Sequence, residues 1–138
     1  MIKVVLSDTE AKLCQVIGTM RYAETSRIAK EQIQSRLNPL EICIDGFTAE
    51  YIVGKHLGMF VDLNCNVRKF GADLTSPNGV TYDVKSTRKP DGDLNVRITH
   101  KNKDYQVYVL VELDEDNNGY LVGWLPRNEV INDTNIVK

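Results

Sequence analysis

The 138-residue sequence predicts one domain of the α/β class (an α+β mixed sheet), with N-terminal helices packed on a central mixed β-sheet. Two patterns predict this class. Apolar residues recur at helical spacing as far as residue 57, whereas short runs of β-branched and aromatic residues separated by turn clusters follow from residue 71. The composition, 42% hydrophobic and 26% charged, is typical of a globular domain whose core needs no disulfides or metals.

The N-terminal part is predicted to be helical after a short strand at 2–6. Ser7 and Glu10 form the pattern of a capping box, in which each side chain binds the other residue's backbone N–H. The apolar spacing that follows predicts a first helix that continues toward Leu37, with one break near 25–26.

A second helix is predicted to start at an Asp45 cap, to run over 47–57 and to end at Gly58. The turn-forming stretches 37–40 and 89–93 are too short to be domain linkers. We therefore expect a single domain over 1–138, with an N-terminal helical extension at 1–40 and a core at 41–138.

Strands are predicted in the remainder of the chain, at 71–75, 80–87, 94–99, 105–113 and 120–125. The acidic stretch 112–116 is interpreted as a solvated hairpin turn, and a last helical turn is expected at 127–131. Tyr108 and Trp124 lie on strands and are predicted to belong to the core.

No apolar run approaches the roughly 18 residues of a membrane span, and the N-terminal sequence lacks a cleavable signal pattern. We therefore expect a cytoplasmic protein with no membrane partner. Cys14, Cys43 and Cys65 are widely spaced and form no Cys-x-x-Cys pair, which argues against disulfides and a zinc knuckle and favours buried thiols.

The formal net charge of −2 does not exclude a nucleic-acid partner, because the charge is unevenly distributed. Residues 85–103 include six basic and two acidic side chains, a net +4, so the remainder of the chain is −6. Arg21 of the first helix could reach a phosphate, but a side chain that extends into solvent is the favoured interpretation.

A hairpin is predicted at 76–79, where Ser-Pro-Asn-Gly fits a type I turn closed by a left-handed glycine. This turn sets Leu74 opposite Tyr82 and Asp73 opposite Asp83. The alternation of apolar and acidic residues along the two strands independently predicts the same register.

Two carboxylates placed directly across a strand pair destabilise it by roughly 0.2–1 kcal/mol unless a positive charge lies between them. Lys85 is two residues beyond Asp83, so Asp73, Asp83 and Lys85 are expected to share one face. All-oxygen ligands of this kind suit Mg²⁺ or Mn²⁺ rather than zinc.

Glu50 lies in the middle of the apolar face of the second helix, flanked by Phe47, Val53 and Leu57. A buried carboxylate requires a partner, because its charged form loses hydration. We interpret the helix as packing on the sheet and directing Glu50 toward the two aspartates.

The sequence of Glu50, Asp73 and Asp83-Val84-Lys85 resembles the PD-(D/E)XK (restriction-endonuclease-like) nuclease superfamily, although Ala72-Asp73 stands where Pro-Asp names that family. The flanking residues are similar to those of small phage-encoded endonucleases, and the similar stretches are 46–51, 55–57, 83–87 and 122–124. The resemblance implies a restriction-endonuclease-like core and a metal-dependent endonuclease that hydrolyses phosphodiester bonds in DNA.

The resemblance also implies roles for individual residues. Mg²⁺ or Mn²⁺ would be held by Asp73, Asp83, the Val84 carbonyl and, directly or through water, Glu50. Lys85 would orient the attacking water or stabilise charge on the phosphate. The neighbouring phosphates would be bound by Ser86, Thr87, Arg88 and Lys89.

Two other functions stay open at this point. The chain could be a structure-selective DNA junction resolvase, or a noncatalytic DNA-binding module that keeps the nuclease fold. A symmetric homodimer would cut both strands most simply, with a monomer as the alternative. A phage-encoded member would act in the host cytoplasm.

Overall fold

The computed structural model describes residues 1–28, 38–65, 73–94, 105–116 and 118–130. Strands and helices follow one another along the chain as β1 (Ile2–Val5), α1 (Asp8–Ile28), α2 (Pro39–Leu57), β2 (Leu74–Thr75), β3 (Thr81–Thr87), β4 (Val107–Leu113), β5 (Asn118–Pro126) and α3 (Arg127–Val130). The predicted mixed α/β class is confirmed.

The sheet has five strands in the order β1-β5-β4-β3-β2. β3 and β4 are parallel, and the other neighbouring strands are antiparallel. α2 packs over β3, β4 and β5, and α1 packs against α2. The core between α2 and the sheet includes Phe47, Ile52, Val84, Val109 and Val111.

α1 begins with the predicted capping box. The Ser7 N–H donates to Glu10 Oε1 over 2.9 Å, and the Glu10 N–H donates to Ser7 Oγ over 3.1 Å. The predicted break near 25–26 is wrong, because α1 continues through both residues to Ile28. The rest of that prediction, up to Leu37, lies outside the described residues.

α2 begins earlier than predicted. Its cap is Asn38, whose Oδ1 accepts the Leu40 N–H at 2.9 Å, and Pro39 occupies the first helical turn, where its missing N–H costs nothing. The predicted Asp45 cap is therefore wrong, since Asp45 lies inside the helix. The predicted end is confirmed by Gly58, which has a left-handed φ of 66°.

The other strand and turn predictions have mixed outcomes. The strands predicted at 80–87, 105–113 and 120–125 are present with shifted ends. Residues 114–116 of the acidic stretch lie in the β4–β5 turn, as predicted, whereas 112–113 belong to β4. Three predictions fall partly outside the described residues. These are residues 71–72 of the strand predicted at 71–75, residues 95–99 of the strand predicted at 94–99, and residue 131 of the predicted last helical turn.

Core predictions also have mixed outcomes. Tyr108 is fully buried, as predicted, but Trp124 is 53% exposed, so its assignment to the core is wrong. The pairing of β4 with β5 shifts between Leu110 and Val111, and all residues of β5 from 122 to its end are exposed. Cys14 is buried, whereas Cys43 and Cys65 are partly exposed, and all three are free thiols.

In the described part of the chain, no helix combines the length and the apolar character needed to cross a bilayer.

Candidate functional site

The hairpin between β2 and β3 has the predicted geometry. The Ser76 N–H donates to the Val80 carbonyl at 2.8 Å, and the Gly79 N–H donates to the Ser76 carbonyl at 2.9 Å. Gly79 has a φ of 86°, which an L side chain rarely adopts. Leu74 opposes Tyr82, so the predicted strand register is confirmed.

Asp73 lies one residue before β2, where the same register continued would set it opposite Asp83. Its Oδ2 accepts the backbone N–H of Val84 at 2.8 Å. In an antiparallel pair, every second residue exchanges backbone hydrogen bonds with the partner strand. The Val84 N–H therefore points toward the side of β3 on which β2 lies. The Asp73 carboxylate therefore takes the place that a carbonyl of a longer β2 would occupy.

Asp83 and Lys85 lie on the face of β3 opposite Val84, because strand side chains alternate and Val84 belongs to the core beneath α2. Lys85 Nζ lies 2.8 Å from Asp83 Oδ2. Only 4% of the Asp83 side chain is exposed, against 29% of the Lys85 side chain. The pair thus has a buried acid and a base that reaches solvent.

Tyr108 is the β4 neighbour of Asp83 in the parallel register and is fully buried. Burial raises the pKa of Tyr108; the charge of Arg127 lowers it, and the charge of Asp83 raises it. The phenol therefore stays protonated at neutral pH beside the Asp83 carboxylate. In the same register, Lys85 lies next to Leu110 of β4, on the face of the sheet that also holds Asp83 and Tyr108.

A cavity of about 280 Å³ opens at the end of β3. Three of the four residues predicted to bind phosphates line it together with Lys85: Ser86, Thr87 and Lys89. The cavity wall also includes Asp91, which has a left-handed φ of 58°, and Asp93. The structure therefore brings Lys85 and these three residues to one concave surface at the end of β3.

The fourth predicted phosphate ligand, Arg88, is turned toward α2. Its Nε and Nη2 bind the two carboxylate oxygens of Asp45 at 2.8 and 2.7 Å, and its Nη1 donates to the Asp114 carbonyl at 3.2 Å. The hydrogen bond to Asp45 raises the pKa of Arg88 despite the opposing effect of burial. In this arrangement Arg88 joins α2 to the β4–β5 turn.

Glu50 is 7% exposed, as expected for the middle of the apolar helix face. One partner of its carboxylate is Arg21 of α1, whose Nη1 lies 3.0 Å from Glu50 Oε2. Only 14% of the Arg21 side chain is exposed, so the predicted extension into solvent is wrong. The helix pattern revealed a buried acid, but did not reveal which helix supplies the base.

The three acidic site residues do not form a preformed metal cluster. Within the described residues, no three His, Cys, Asp or Glu side chains are grouped so that they could hold a metal ion. The convergence of Glu50 with Asp73 and Asp83 on one ion stays a prediction. The oxygen donors of Asp73, Asp83 and the Val84 carbonyl still fit the chemistry of a hard cation that keeps several water ligands.

No protein-family model matches the chain, and no curated protein matches it.

Proposed function

We propose that this protein is a metal-dependent endonuclease that hydrolyses phosphodiester bonds in DNA and has a restriction-endonuclease-like core. The observation that carries the proposal is the pairing of the buried Asp83 carboxylate with the partly exposed Lys85 ammonium at 2.8 Å. A surface salt bridge would not require one partner to be buried this deeply. A buried acid that orients a solvent-facing cation at a cavity is typical of a catalytic centre.

The donor set fits Mg²⁺ or Mn²⁺. Asp73, Asp83 and the Val84 carbonyl offer only oxygen ligands, which hard divalent cations prefer, and Glu50, which lies on the α2 side of β3, would contribute through water rather than directly. When bound, such an ion lowers the pKa of a coordinated water and polarises the phosphate.

The chain's own residues would supply binding and orientation. Asp83 holds the Lys85 ammonium in place, so that its positive charge faces the cavity where phosphate oxygens gather negative charge in the transition state. Ser86, Thr87 and Lys89 would bind the flanking phosphates, which positions the DNA backbone without reading its sequence.

The direct test is cleavage of plasmid and branched DNA by wild type and Lys85→Ala, each with Mg²⁺ or Mn²⁺. We expect the substitution to lower the cleavage rate by about 10²-fold or more, because it removes a preorganised charge from the transition state. Mg²⁺ should still raise the melting temperature of Lys85→Ala, since the oxygen ligands remain.

The matched control is Lys12→Ala, which removes an exposed lysine of α1 and should leave cleavage unchanged. Cleavage confined to branched DNA would change the assignment to a junction resolvase. A folded wild-type protein that binds DNA and cuts neither substrate with either metal would instead be a noncatalytic DNA-binding module.

A further inference from the structure

Arg21 binds two separate parts of the molecule with one guanidinium group. Besides the ion pair to Glu50, its Nη2 donates to the Asp62 carbonyl at 2.9 Å and its Nε donates to the Asn64 carbonyl at 3.3 Å. The guanidinium carbon also lies 4.8 Å from the centre of the Phe47 ring. All three nitrogens of the group therefore have partners, and its flat face lies against an aromatic ring.

The stretch 59–65 that Arg21 binds contains neither helix nor strand. Its local hydrogen bonds include the one from the Asn64 N–H to Asp62 Oδ1 at 2.9 Å. Phe60 is 83% exposed and Leu63 is 45% exposed, so apolar burial contributes little at these two positions. Met59 of this stretch belongs to the core, and Val61 and Cys65 pack against it. The Arg21 donors add two hydrogen bonds that hold the backbone carbonyls of Asp62 and Asn64.

The approach of Arg21 to α2 depends on a tight helix crossing. Gly18 lies one turn before Arg21 in α1, and a Cβ added there would be 2.4 Å from the Cα of Ile44 in α2. Such closeness allows the guanidinium to reach Glu50 and the 59–65 backbone from a neighbouring helix.

We propose that Arg21 is a positioning residue that fixes the Glu50 carboxylate and the Asp62–Asn64 backbone in one arrangement. The functional part of this proposal rests on the proposed nuclease activity, because Glu50 belongs to the proposed site. Only arginine fits this role: its planar group presents several donors in fixed directions and stays charged, whereas lysine presents one nitrogen on a flexible stem.

The structural part is tested with the thiol of Cys65, which follows Asn64 directly and is partly exposed. Its alkylation rate under native conditions reports local opening of the stretch 59–65, and mass spectrometry of the peptides separates it from the other thiols. We expect Arg21→Gln to raise this rate about tenfold, because two backbone hydrogen bonds are lost. Alkylation of the buried Cys14 should stay much slower than that of Cys65, which excludes global unfolding as the route by which Cys65 reacts.

The control variant is Lys55→Gln. Lys55 forms another ion pair between α2 and α1, to Glu10 at 2.7 Å. It should leave the alkylation rate of Cys65 unchanged, because its contacts are to Glu10 and the Val5 carbonyl. An unchanged Cys65 rate in Arg21→Gln, or an equal rise in Lys55→Gln, would overturn the proposal.

Two further variants separate the charge of Arg21 from its geometry. In the Arg21→Gln/Glu50→Gln double variant, the melting temperature should recover because the buried negative charge is removed together with its cation, yet Cys65 should remain as reactive as in Arg21→Gln. Arg21→Lys keeps the charge and should also leave Cys65 reactive. Full protection of Cys65 in either variant would show that the geometry of the guanidinium is not required.

The functional part is tested by DNA cleavage at saturating Mg²⁺. Arg21→Gln should lower kcat about tenfold or more with KM for DNA unchanged, because a misplaced group slows the reaction without removing a DNA contact. Normal kcat in Arg21→Gln would overturn positioning through Glu50. If wild type does not cleave DNA, the proposed function fails, while the Cys65 measurement still decides the role of Arg21.

Discussion

Two ion pairs join α1 to α2, and they differ more in their surroundings than in their lengths. The Arg21–Glu50 pair spans 3.0 Å with side chains 14% and 9% exposed, whereas the Lys55–Glu10 pair spans 2.7 Å with side chains 40% and 20% exposed. The shorter pair is thus the more hydrated one. Because water screens charges and solvates them when they separate, we expect the longer, drier pair to affect stability more.

The largest effect is expected when the drier pair is broken. Arg21→Met should lower the free energy of unfolding by about 3–5 kcal/mol, because it leaves the Glu50 carboxylate buried without this cation. Urea unfolding measures the change. The double variant Arg21→Met/Glu50→Met should recover most of the lost free energy of unfolding. If Arg21→Met alone loses less than about 1 kcal/mol, the drier pair affects stability no more than the hydrated one.

An intermediate effect is expected at the helix crossing that supports the drier pair. Gly18→Ala should cost about 1–3 kcal/mol, since the added methyl group meets the Ile44 backbone at 2.4 Å and backbone cannot move aside cheaply. Gly46→Ala is the matched control in α2, because nothing lies within 4 Å of its Cβ position. Alanine favours the helix more than glycine does, so this substitution should raise the free energy of unfolding by roughly 0.5–1 kcal/mol. Thermal unfolding of both variants would test whether Gly18→Ala lowers the melting temperature and Gly46→Ala raises it.

The smallest effect is expected at the hydrated pair. Lys55→Met should cost no more than about 1 kcal/mol at pH 7. Lys55, followed by the Ser7 N–H, lowers the pKa of Glu10 from 4.5 to about 2. A depressed carboxyl pKa stabilises the fold above pH 4.5, and this contribution is lost as the pH falls toward 2.

The stability of Lys55→Met should therefore decline less steeply between pH 4.5 and pH 2 than that of wild type. Urea midpoints at several acidic pH values measure the slope. Parallel slopes in the two proteins would show that the Ser7 hydrogen bonds alone hold Glu10 ionised.

The difference between contacts within one local segment and contacts between two helices explains which features could be predicted from sequence. The capping box, the hairpin register and the burial of Glu50 depend on residues close together in the chain or on one helix face, so local rules identify them. Arg21 and Glu50 are 29 positions apart, and their contact depends on how two helices cross. A pattern on one helix contains no information about that crossing.

Two further errors have physical causes of the same kind. The residue types of 37–40 predict a turn, although Asn38 and Pro39 equally fit the cap and the first turn of a helix, which is where the structure places them. Trp124 lies on a strand beyond a shift in pairing, where β5 is exposed to its end. Strand patterns predict which residues share a face, but do not predict how far the helices cover that face.

The hydrogen bond from the Val84 N–H to Asp73 has a consequence for how the protein avoids self-association. Among the described residues, β2 pairs with Thr81 and Tyr82 at the start of β3. An unpaired strand edge is a template on which another chain can add a strand and start aggregation. The Asp73 carboxylate accepts the Val84 N–H, the next ladder position of β3, and adds a negative charge that a foreign strand would have to displace there. Loss of soluble protein in an Asp73 variant would therefore indicate that this ladder position had become open to another strand, separately from any effect on the proposed metal site.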